Sequence, residues 1–341
     1  MRIMYFFSAF VNHFGKSCYS AAMESFWNKL PRPFFALAPL EDVTDAAFRC
    51  LIARSGKPDV MFTEFTSADG LILAPDKGQR ILRKKLIFGE GERPIVAQLF
   101  TSSPERMEKA ARLIAELGFD GFDINMGCPV AQVVEQGCGA ALIKNPALAR
   151  ELIRAAKQGG LPVSVKTRIG YSVDELDSWL PELLAEEPVA ITIHARTRKE
   201  MSDVPARWDT VARAVRIRDK AGSKTLILGN GDVKDIPDAR AKASETKCDG
   251  VMLGRAIYGN PWLFAERTVP PTSRERVRAL TEHLVLFDEL LTGTTNYAVM
   301  KKHFKAYISG WDGAKELRMK LMETENVETA QRILASAILP A

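Results

Sequence analysis

A cysteine that directly follows an apolar run has the clearest chemical potential in this chain. Residues 121–124 form the run, and Asn125-Met126-Gly127-Cys128-Pro129 comes next. The strand breaks at Gly127, and Pro129 cannot continue it because proline has no N–H to donate. Cys128 is therefore predicted to stand on a loop at the end of a buried strand. In a barrel of alternating strands and helices, such a position lines the active site.

Other polar residues also fall where apolar runs end. Gln98 offers an amide that donates and accepts, while Lys166 and His194 are each followed two residues later by an arginine on the same side of the strand. Glycines follow the last two runs, where barrel enzymes often bind phosphate. Each residue alone is more often structural, but together they predict a planar heterocycle with a phosphate tail as ligand. The strand-end residues are Ala38, Pro39, Leu40, Gln98, Asn125, Lys166, Arg168, His194, Arg196, Asn230, Gly231, Asp232, Gly254 and Arg255.

Eight apolar runs position these residues, and helical patterns lie between them. The runs are rich in Val, Ile and Leu, as is typical of strands buried on both faces. We predict an α/β fold, a (β/α)8 TIM barrel, because polar residues end nearly every run. An open doubly wound sheet is the alternative. The runs cover 34–39, 60–64, 94–99, 121–125, 162–166, 190–194, 225–230 and 250–255, and amphipathic patterns cover 104–117, 146–158 and 208–221.

Composition limits the classes of protein and site. The 341 residues carry a net charge of +5, with a pI near 8.9, which permits a polyanionic partner without requiring one. Five cysteines without a CxxC pair indicate a reduced, cytoplasmic compartment. No apolar run approaches the roughly 20 residues of a membrane span. A metal site of Cys128, Cys138 and His194 is conceivable, but short ligand spacing is missing and no metal is predicted.

The chain is predicted to have three parts. Residues 1–32 are an N-terminal tail, residues 33–268 the barrel, and residues 273–341 a small helical bundle after the Pro270-Pro271 pair. The first 22 residues faintly resemble a secretory signal, but a natural start at Met23 or a disordered tail is favoured. Bundle helices are expected over 274–291, 297–309, 313–324 and 327–337. One face is basic, which indicates a solvated surface or a nucleic-acid contact. Its C-terminal cations are Lys301, Lys302, Lys305 and Arg318.

The motifs resemble those of the tRNA-dihydrouridine synthases over about residues 35–317. The similar segments are Ala38-Pro39-Leu40-Glu41-Asp42, Thr63-Glu64, Asn125-Met126-Gly127-Cys128-Pro129, Ser164-Val165-Lys166-Thr167-Arg168, His194-Ala195-Arg196-Thr197, Gly229-Asn230-Gly231-Asp232 and Leu253-Gly254-Arg255-Ala256. Lys301-Lys302-His303 and Leu317-Arg318 resemble the family's helical tRNA-binding domain. Two departures stand out: Leu40 replaces the usual methionine, and the loop 199–207 lacks a glycine and a tyrosine that many members carry.

The resemblance implies an FMN enzyme that reduces a uridine in tRNA to 5,6-dihydrouridine with NADPH as reductant. Hydride from reduced FMN would reach C6 of the flipped uracil, and Cys128 would protonate C5 as general acid. A thiol with an ordinary pKa near 8.5 is mostly protonated at neutral pH and can donate. Lys166 would stabilise the anionic reduced flavin near N1 and O2.

The remaining roles also follow from the resemblance. Asn125 would hydrogen-bond the uracil edge, and Arg168 and Arg196 would line the substrate pocket. The C-terminal cations would bind phosphates of the tRNA. The cofactor would contact Ala38, Pro39, Leu40, Gln98, Lys166, His194, Asn230, Gly231, Asp232, Gly254 and Arg255. No stable protein partner is implied, so a monomer is expected. The target uridine and the preference for NADPH over NADH are not readable from the motifs.

Two rival functions remain open from the residues. One is an FMN oxidoreductase that acts on a free pyrimidine, as a dihydroorotate dehydrogenase does, but it leaves the basic helical bundle unexplained. The other is a non-catalytic RNA-binding protein or RNA chaperone that keeps the barrel as a scaffold. Such a protein has no need for Cys128, Lys166 and His194 together. A flavin spectrum separates the second rival, and tRNA-dependent NADPH oxidation separates the first.

Overall fold

The computed structural model describes residues 25–337, and its centre is a parallel β-barrel. The predictions for the first 22 residues lie outside the described part. Each strand pairs only in parallel with its neighbours. The strands are β1 (Phe34–Leu37), β2 (Met61–Phe62), β3 (Thr66–Ser67), β4 (Ile95–Phe100), β5 (Gly121–Met126), β6 (Val163–Arg168), β7 (Ala190–His194), β8 (Leu226–Asn230) and β9 (Gly250–Leu253).

The sheet closes on itself, which confirms the predicted barrel over the open-sheet alternative. The strand order is β1-β9-β8-β7-β6-β5-β4-β2, and β3 adds a short pairing to β4 beyond β2. A parallel bridge between Ala36 and Val60 joins the two ends of this order, with the Leu37 amide donating to the Val60 carbonyl at 3.0 Å. Within residues 25–337, closure leaves eight strand positions and no free sheet edge.

Apolar side chains fill the barrel interior. Phe34, Phe62, Val96 and Met252 belong to one buried cluster, and Trp27 completes it with only 1% of its surface exposed. Trp27 lies in a 3₁₀ turn, Phe26–Lys29, within the predicted N-terminal tail. Its ring stands 5.8 Å from the Phe34 ring, so this part of the tail is packed against the first strand and into the barrel core.

Helices cover the outside of the barrel. Ser103, Asn145 and Asp235 cap α4, α6 and α9 by accepting backbone N–H groups, and proline opens each of these helices. The predicted helices near residues 104, 146 and 208 are confirmed as α4, α6 and α8. The helices are α1 (Ala46–Gly56), α2 (Ala68–Leu73), α3 (Asp76–Lys84), α4 (Pro104–Glu116), α5 (Ala131–Val134), α6 (Pro146–Lys157), α7 (Leu176–Leu184), α8 (Trp208–Lys220) and α9 (Ile236–Thr246).

The chain after the barrel is helical, as predicted. A capping box of Thr272 and Glu275 starts the first of these helices. The helices are α10 (Ser273–Leu291), α11 (Met300–Tyr307), α12 (Ala314–Met322) and α13 (Val327–Ala335). Helices α10 and α11 pack on α1, where the Phe48 ring lies 4.9 Å from His283 and 4.8 Å from His303. Within residues 25–337, no helix combines the length and apolarity that a bilayer crossing needs.

Candidate active site

Strand register brings the predicted polar residues to one level of the barrel. Asn125 of β5 lies opposite Lys166 of β6, Arg168 lies opposite His194 of β7, and His194 lies opposite Asn230 of β8. All five stand at the carboxyl ends of their strands, where a TIM barrel carries its active site. Residues that are scattered over more than a hundred positions therefore share one end of the barrel.

Asn125 fixes the loop that carries Cys128. Its Oδ1 accepts the amide N–H of Gly127 at 3.1 Å and that of Cys128 at 2.8 Å. The Cys128 carbonyl in turn accepts from the Ala140 amide at 3.0 Å. A Cβ at Gly139 would lie 2.8 Å from the Cys128 carbonyl oxygen, so only glycine fits there. The thiol is 8% exposed, and burial raises its pKa above the ordinary value.

A buried chain of hydrogen bonds leads from Asn125 into the barrel. Asn125 Nδ2 donates to Gln98 Oε1 at 3.0 Å, and Gln98 Nε2 donates to Asp123 Oδ2 at 2.7 Å. Ser164 Oγ donates to the other Asp123 oxygen at 2.6 Å. Burial raises the pKa of Asp123 to about 6. Asp123 is not among the predicted site residues, although a carboxylate inside an apolar strand is a usable signal.

Cations gather around His194. Burial, followed by the charges of Lys166, Arg168 and Arg196, holds the pKa of His194 well below its usual value, so the ring is neutral. Burial and the neighbouring Arg168 lower the pKa of Lys166 to about 8. Among the described residues, no group forms a hydrogen bond or an ion pair with Lys166. The arrangement therefore has positive charge available for an anionic ligand.

Arg168 ties two loops together. Its Nε donates to the Gly127 carbonyl at 2.9 Å, and its Nη1 donates to the carbonyls of Thr197 and Met201 at 2.9 and 2.8 Å. Burial and the charge of Arg196 lower its pKa to about 10, still far above neutrality. The side chain is 5% exposed. Its position fixes the cysteine loop against the loop after β7.

Arg196 and Arg255 share the carboxylate of Asp232. Arg196 Nη2 donates to Asp232 Oδ2, and Arg255 Nη2 donates to Oδ1 at 2.5 Å. The Ala206 amide adds a third bond at 2.8 Å. The hydrogen bond from Arg196 is the main reason that the pKa of Asp232 is lowered. Arg196 Nη1 also lies 3.2 Å from His194 Nε2. The Asp232 side chain is thus occupied by protein groups, which leaves its backbone for a ligand.

Backbone at the ends of β8, β9 and β1 comes close together. Gly231 has φ +125°, and a Cβ there would lie 2.7 Å from that of Ala206. Asn230 Nδ2 donates to the Met252 carbonyl at 2.8 Å. A Cβ at Gly254 would contact Ala38 at 3.6 Å and Leu40 at 3.8 Å. The remaining predicted contacts lie here as well: Ala38 and Pro39 are buried, Leu40 is half-buried, and Arg255 opens a 3₁₀ turn after Gly254.

The C-terminal cations lie in different surroundings. Lys305 is exposed, Lys301 is half-buried, and Lys302 Nζ lies 3.0 Å from Asp42 Oδ2 in the loop after β1. Arg318 Nη1 donates to the Ile308 carbonyl at 2.9 Å. His303, between the lysines in sequence, is fully buried. The basic face therefore touches the end of the barrel that carries Cys128.

Acidic residues form a further group beside this end. Glu41, Asp42 and Glu64 bring one carboxylate oxygen each within 4.8 Å of one another. Burial raises the pKa of Glu64 to about 7, and its Oε1 accepts the Asp42 amide at 2.6 Å. Cys128, Cys138 and His194 form no such group in the part of the chain that the structure describes. Glu64 is not among the predicted site residues.

Comparison with known proteins gives the family. A model described as dihydrouridine synthase (Dus) matches residues 36–340. The probable tRNA-dihydrouridine synthase 2 of Bacillus subtilis is 44% identical over 313 residues, which cover 91% of this chain and 96% of that protein. The probable tRNA-dihydrouridine synthase of Staphylococcus aureus strain COL is 42% identical, with 91% and 95% covered.

Solved structures agree on the fold. Histamine dehydrogenase from Rhizobium sp. 4-9 superposes with a TM-score of 0.51 at 14% identity, over 74% of this chain and 48% of that one. A 2-naphthoyl-CoA reductase complex gives a TM-score of 0.52 at 11% identity, over 68% and 49%. At such identities only the barrel architecture is shared. The family match and the relatives above 40% identity go further: this chain belongs to the dihydrouridine synthase family.

Proposed function

We propose that the protein reduces the C5–C6 bond of a uridine in tRNA to 5,6-dihydrouridine, with FMN as cofactor and NADPH as reductant. The observation that carries the proposal is Cys128, a thiol whose pKa is raised by burial on a loop beside buried cations. Such a thiol remains protonated at neutral pH and serves as an acid. The family and the names of the relatives support tRNA as substrate, and we propose the cytoplasm as the compartment.

The strand-end residues fit a flavin mononucleotide. Reduced flavin is anionic and the ribityl phosphate carries further charge, so a cofactor of this class needs cations and unhindered backbone. Lys166 is half-buried and, within the described residues, forms no hydrogen bond or ion pair, and Arg255 opens the turn beyond Gly254. Amide groups in a first turn have no acceptor within their own helix. We infer that Lys166 and His194 face the ring system, and that the backbone of Gly231, Asp232 and Gly254 holds the phosphate.

The chain's own groups account for proton delivery. When bound, the reduced flavin supplies a hydride to C6 of the uracil. Cys128 gives its proton to C5, and the thiolate that remains is stabilised by Arg168 and Lys166, both of which lower the Cys128 pKa electrostatically. Arg168 also keeps the Cys128 loop in place through the Gly127 carbonyl. Because burial outweighs these charges, the thiol is protonated before the reaction begins.

Access of the base requires a change in the RNA. A uracil stacked inside folded tRNA cannot reach the end of a barrel, so the nucleotide must be flipped out of its stack. The C-terminal cations lie beside that end, linked to it by Lys302 and Asp42. We infer that they hold phosphates of the tRNA while the base enters. A monomer is sufficient for this arrangement.

The test uses the purified full chain. We expect yellow protein that releases FMN on denaturation, and NADPH should bleach it. Unmodified tRNA transcript should then restore the oxidised flavin spectrum with formation of dihydrouridine, whereas free uridine should not. The variant Cys248→Ala is a matched control, because Cys248 is a buried thiol beside β9. Colourless protein that cannot be reconstituted with FMN, or flavin that reoxidises equally with free uridine, refutes the proposal.

A further inference from the structure

Helix α3 carries an uncompensated set of positive charges. Lys77, Arg80 and Arg83 are exposed, and their side chains form no hydrogen bond or ion pair with any residue from 25 to 337. The helix, Asp76–Lys84, has one acid, Asp76, in its first turn. None of its nine residues is fully buried. We name Lys77, Arg80 and Arg83 the α3 cations.

An ordinary solvated helix of this protein is built differently. On α4, Lys109 Nζ lies 2.7 Å from Glu105, and Arg112 Nη2 lies 2.8 Å from Glu108, each pair four residues apart. Such pairs stabilise a helix, whereas like charges at three or four residues destabilise it. Arg80 is three residues from both Lys77 and Arg83. The like charges on α3 therefore repel one another and destabilise the helix.

Three contacts place α3 at the end of the barrel that carries the active site. At one end of the α2–α3 segment, Asp69 accepts from Arg106 at 2.8 Å, just beyond β4. At the other end, Lys85 donates to Glu41 in the loop after β1. Lys84 Nζ also donates to the Leu290 carbonyl of α10 at 3.4 Å. The segment thus bridges the barrel end and the C-terminal helices.

The α3 cations and the C-terminal cations flank one loop. Glu41 binds Lys85, directly after α3, and the next residue, Asp42, binds Lys302 of α11. Two basic helices therefore meet the same β1–α1 loop from different elements. Phe65 lies in the connection between β2 and β3, which is followed by α2. It packs against the cluster that contains Cys128. The two basic helices thus flank the acidic group of Glu41, Asp42 and Glu64, and Lys85 and Lys302 each pair with one of its carboxylates.

We propose that the α3 cations form a second phosphate-contact surface, on the barrel itself, that holds the RNA backbone beside the strand ends. That the RNA is a tRNA rests on the proposed function. A polyanion that lies across both basic helices neutralises the repulsion within α3 and explains why Asp76 is its only acid. Leu73 and Ile81 are also exposed, so an anionic membrane is the competing partner. Continuity with the C-terminal cations favours RNA.

The experiment removes the three charges and measures binding of unmodified tRNA transcript over a range of salt concentrations. The variant is Lys77→Ala/Arg80→Ala/Arg83→Ala in the full, flavin-loaded chain, and alanine keeps the helix propensity high. The matched control is Arg216→Ala/Lys220→Ala/Lys224→Ala. These cations are exposed too, but they lie on α8 and before the amino end of β8. A second variant, Lys77→Gln/Arg80→Gln/Arg83→Gln, removes the same charges but keeps polar side chains on the helix surface.

Each phosphate contact lowers the slope of log affinity against log salt by roughly 0.7 to 0.9. By the same relation, a lost contact weakens binding about five- to eightfold near 0.1 M salt. We expect both α3 variants to lose about two to three units of slope, while the control keeps the wild-type slope and all proteins keep their flavin. Slopes equal to that of the control overturn the inference. So does unchanged tRNA binding with lost binding to phosphatidylglycerol vesicles.

Dihydrouridine formation by the wild-type protein is measured in parallel and separates the two proposals. Wild-type protein that forms no dihydrouridine, yet binds RNA with a slope that depends on α3, refutes the proposed function and leaves this inference standing. Wild-type protein that forms dihydrouridine while the α3 variants bind like the control refutes this inference alone.

Discussion

Replacement of Asn125 by alanine tests how the acid of the site is positioned. Asn125 Oδ1 accepts the N–H groups of Gly127 and Cys128, and its Nδ2 reaches Gln98. Alanine removes the acceptor and leaves two buried N–H groups without a partner. The loop that carries the thiol then loses its main link to the barrel interior.

The expected magnitude follows from those two bonds. A buried N–H that loses its acceptor costs about 1 to 3 kcal/mol, so the native loop conformation is destabilised by about 2 to 6 kcal/mol. The loop then changes conformation to relieve this cost. As a result, a smaller fraction of the molecules holds Cys128 in its native position. Even about 2 kcal/mol corresponds to an approximately 30-fold slower protonation step. Flavin reduction by NADPH does not use Cys128 and should keep its wild-type rate.

Two assays separate positioning from substrate contact. Stopped-flow reoxidation of the reduced flavin by tRNA reports the slowed step, and amide hydrogen exchange at Gly127 and Cys128 without tRNA reports the loop. The conservative variant Asn125→Asp retains an oxygen for both N–H groups and should keep them protected. We expect rapid exchange in Asn125→Ala only.

A different result would refute this reasoning. If Asn125→Ala slows reoxidation while both amides stay as protected as in the wild type, the side chain does not position the loop. The prediction that Asn125 hydrogen-bonds the uracil edge would then account for the loss. Its second Nδ2 hydrogen, which is not needed for Gln98, is available for that contact.

Three further predictions concern the thiol, the tRNA surface and the cofactor cation. Cys128→Ala should keep FMN and its reduction by NADPH but slow reoxidation by tRNA by roughly two to four orders of magnitude, with Cys138→Ala as an active control; full tRNA reduction would contradict it. Alanine at the C-terminal cations should lower the salt slope of tRNA binding by roughly 0.7 to 0.9 per lost contact, and unaltered affinity would indicate a solvated surface. FMN affinity of the apoprotein should weaken as pH rises through about 8, because Lys166 is charged below its pKa and neutral above it. The variant Lys166→Met should abolish this pH dependence. If the variant shows the same pH profile of FMN affinity as the wild type, Lys166 does not contact the flavin.

The barrel and its strand ends could be predicted because they depend on local patterns. Every predicted apolar run overlaps a strand of the barrel, and the run 60–64 also includes Val60, whose bridge to Ala36 closes it. A strand buried on both faces must be apolar nearly throughout, so a polar residue at its end is conspicuous. The predicted helices after residue 273 were equally local, since caps and amphipathic spacing define them.

Partners of the polar side chains could not be predicted, because they depend on register and on loops far apart in sequence. Arg168 is predicted to line the substrate pocket, but its hydrogen bonds to the carbonyls of Gly127, Thr197 and Met201 could not be foreseen from the motif. Lys302 and Asp42 are 260 positions apart. His303 follows two lysines in sequence, but it is fully buried and packs against the Phe48 ring of α1.

Opposing electrostatic effects at Cys128 suit a group that must donate its proton and then exist as an anion. Burial raises the pKa of the thiol, whereas Arg168 and Lys166 lower it. A thiol in the same pocket without these cations would remain an acid but would form its thiolate at a higher cost in free energy. Cations without burial would ionise the thiol before the substrate arrives. In the proposed function the same cations attract an anionic flavin, so cofactor binding and formation of the thiolate depend on one set of charges. Loss of Lys166 should therefore impair both, whereas loss of Cys128 should impair only the proton transfer.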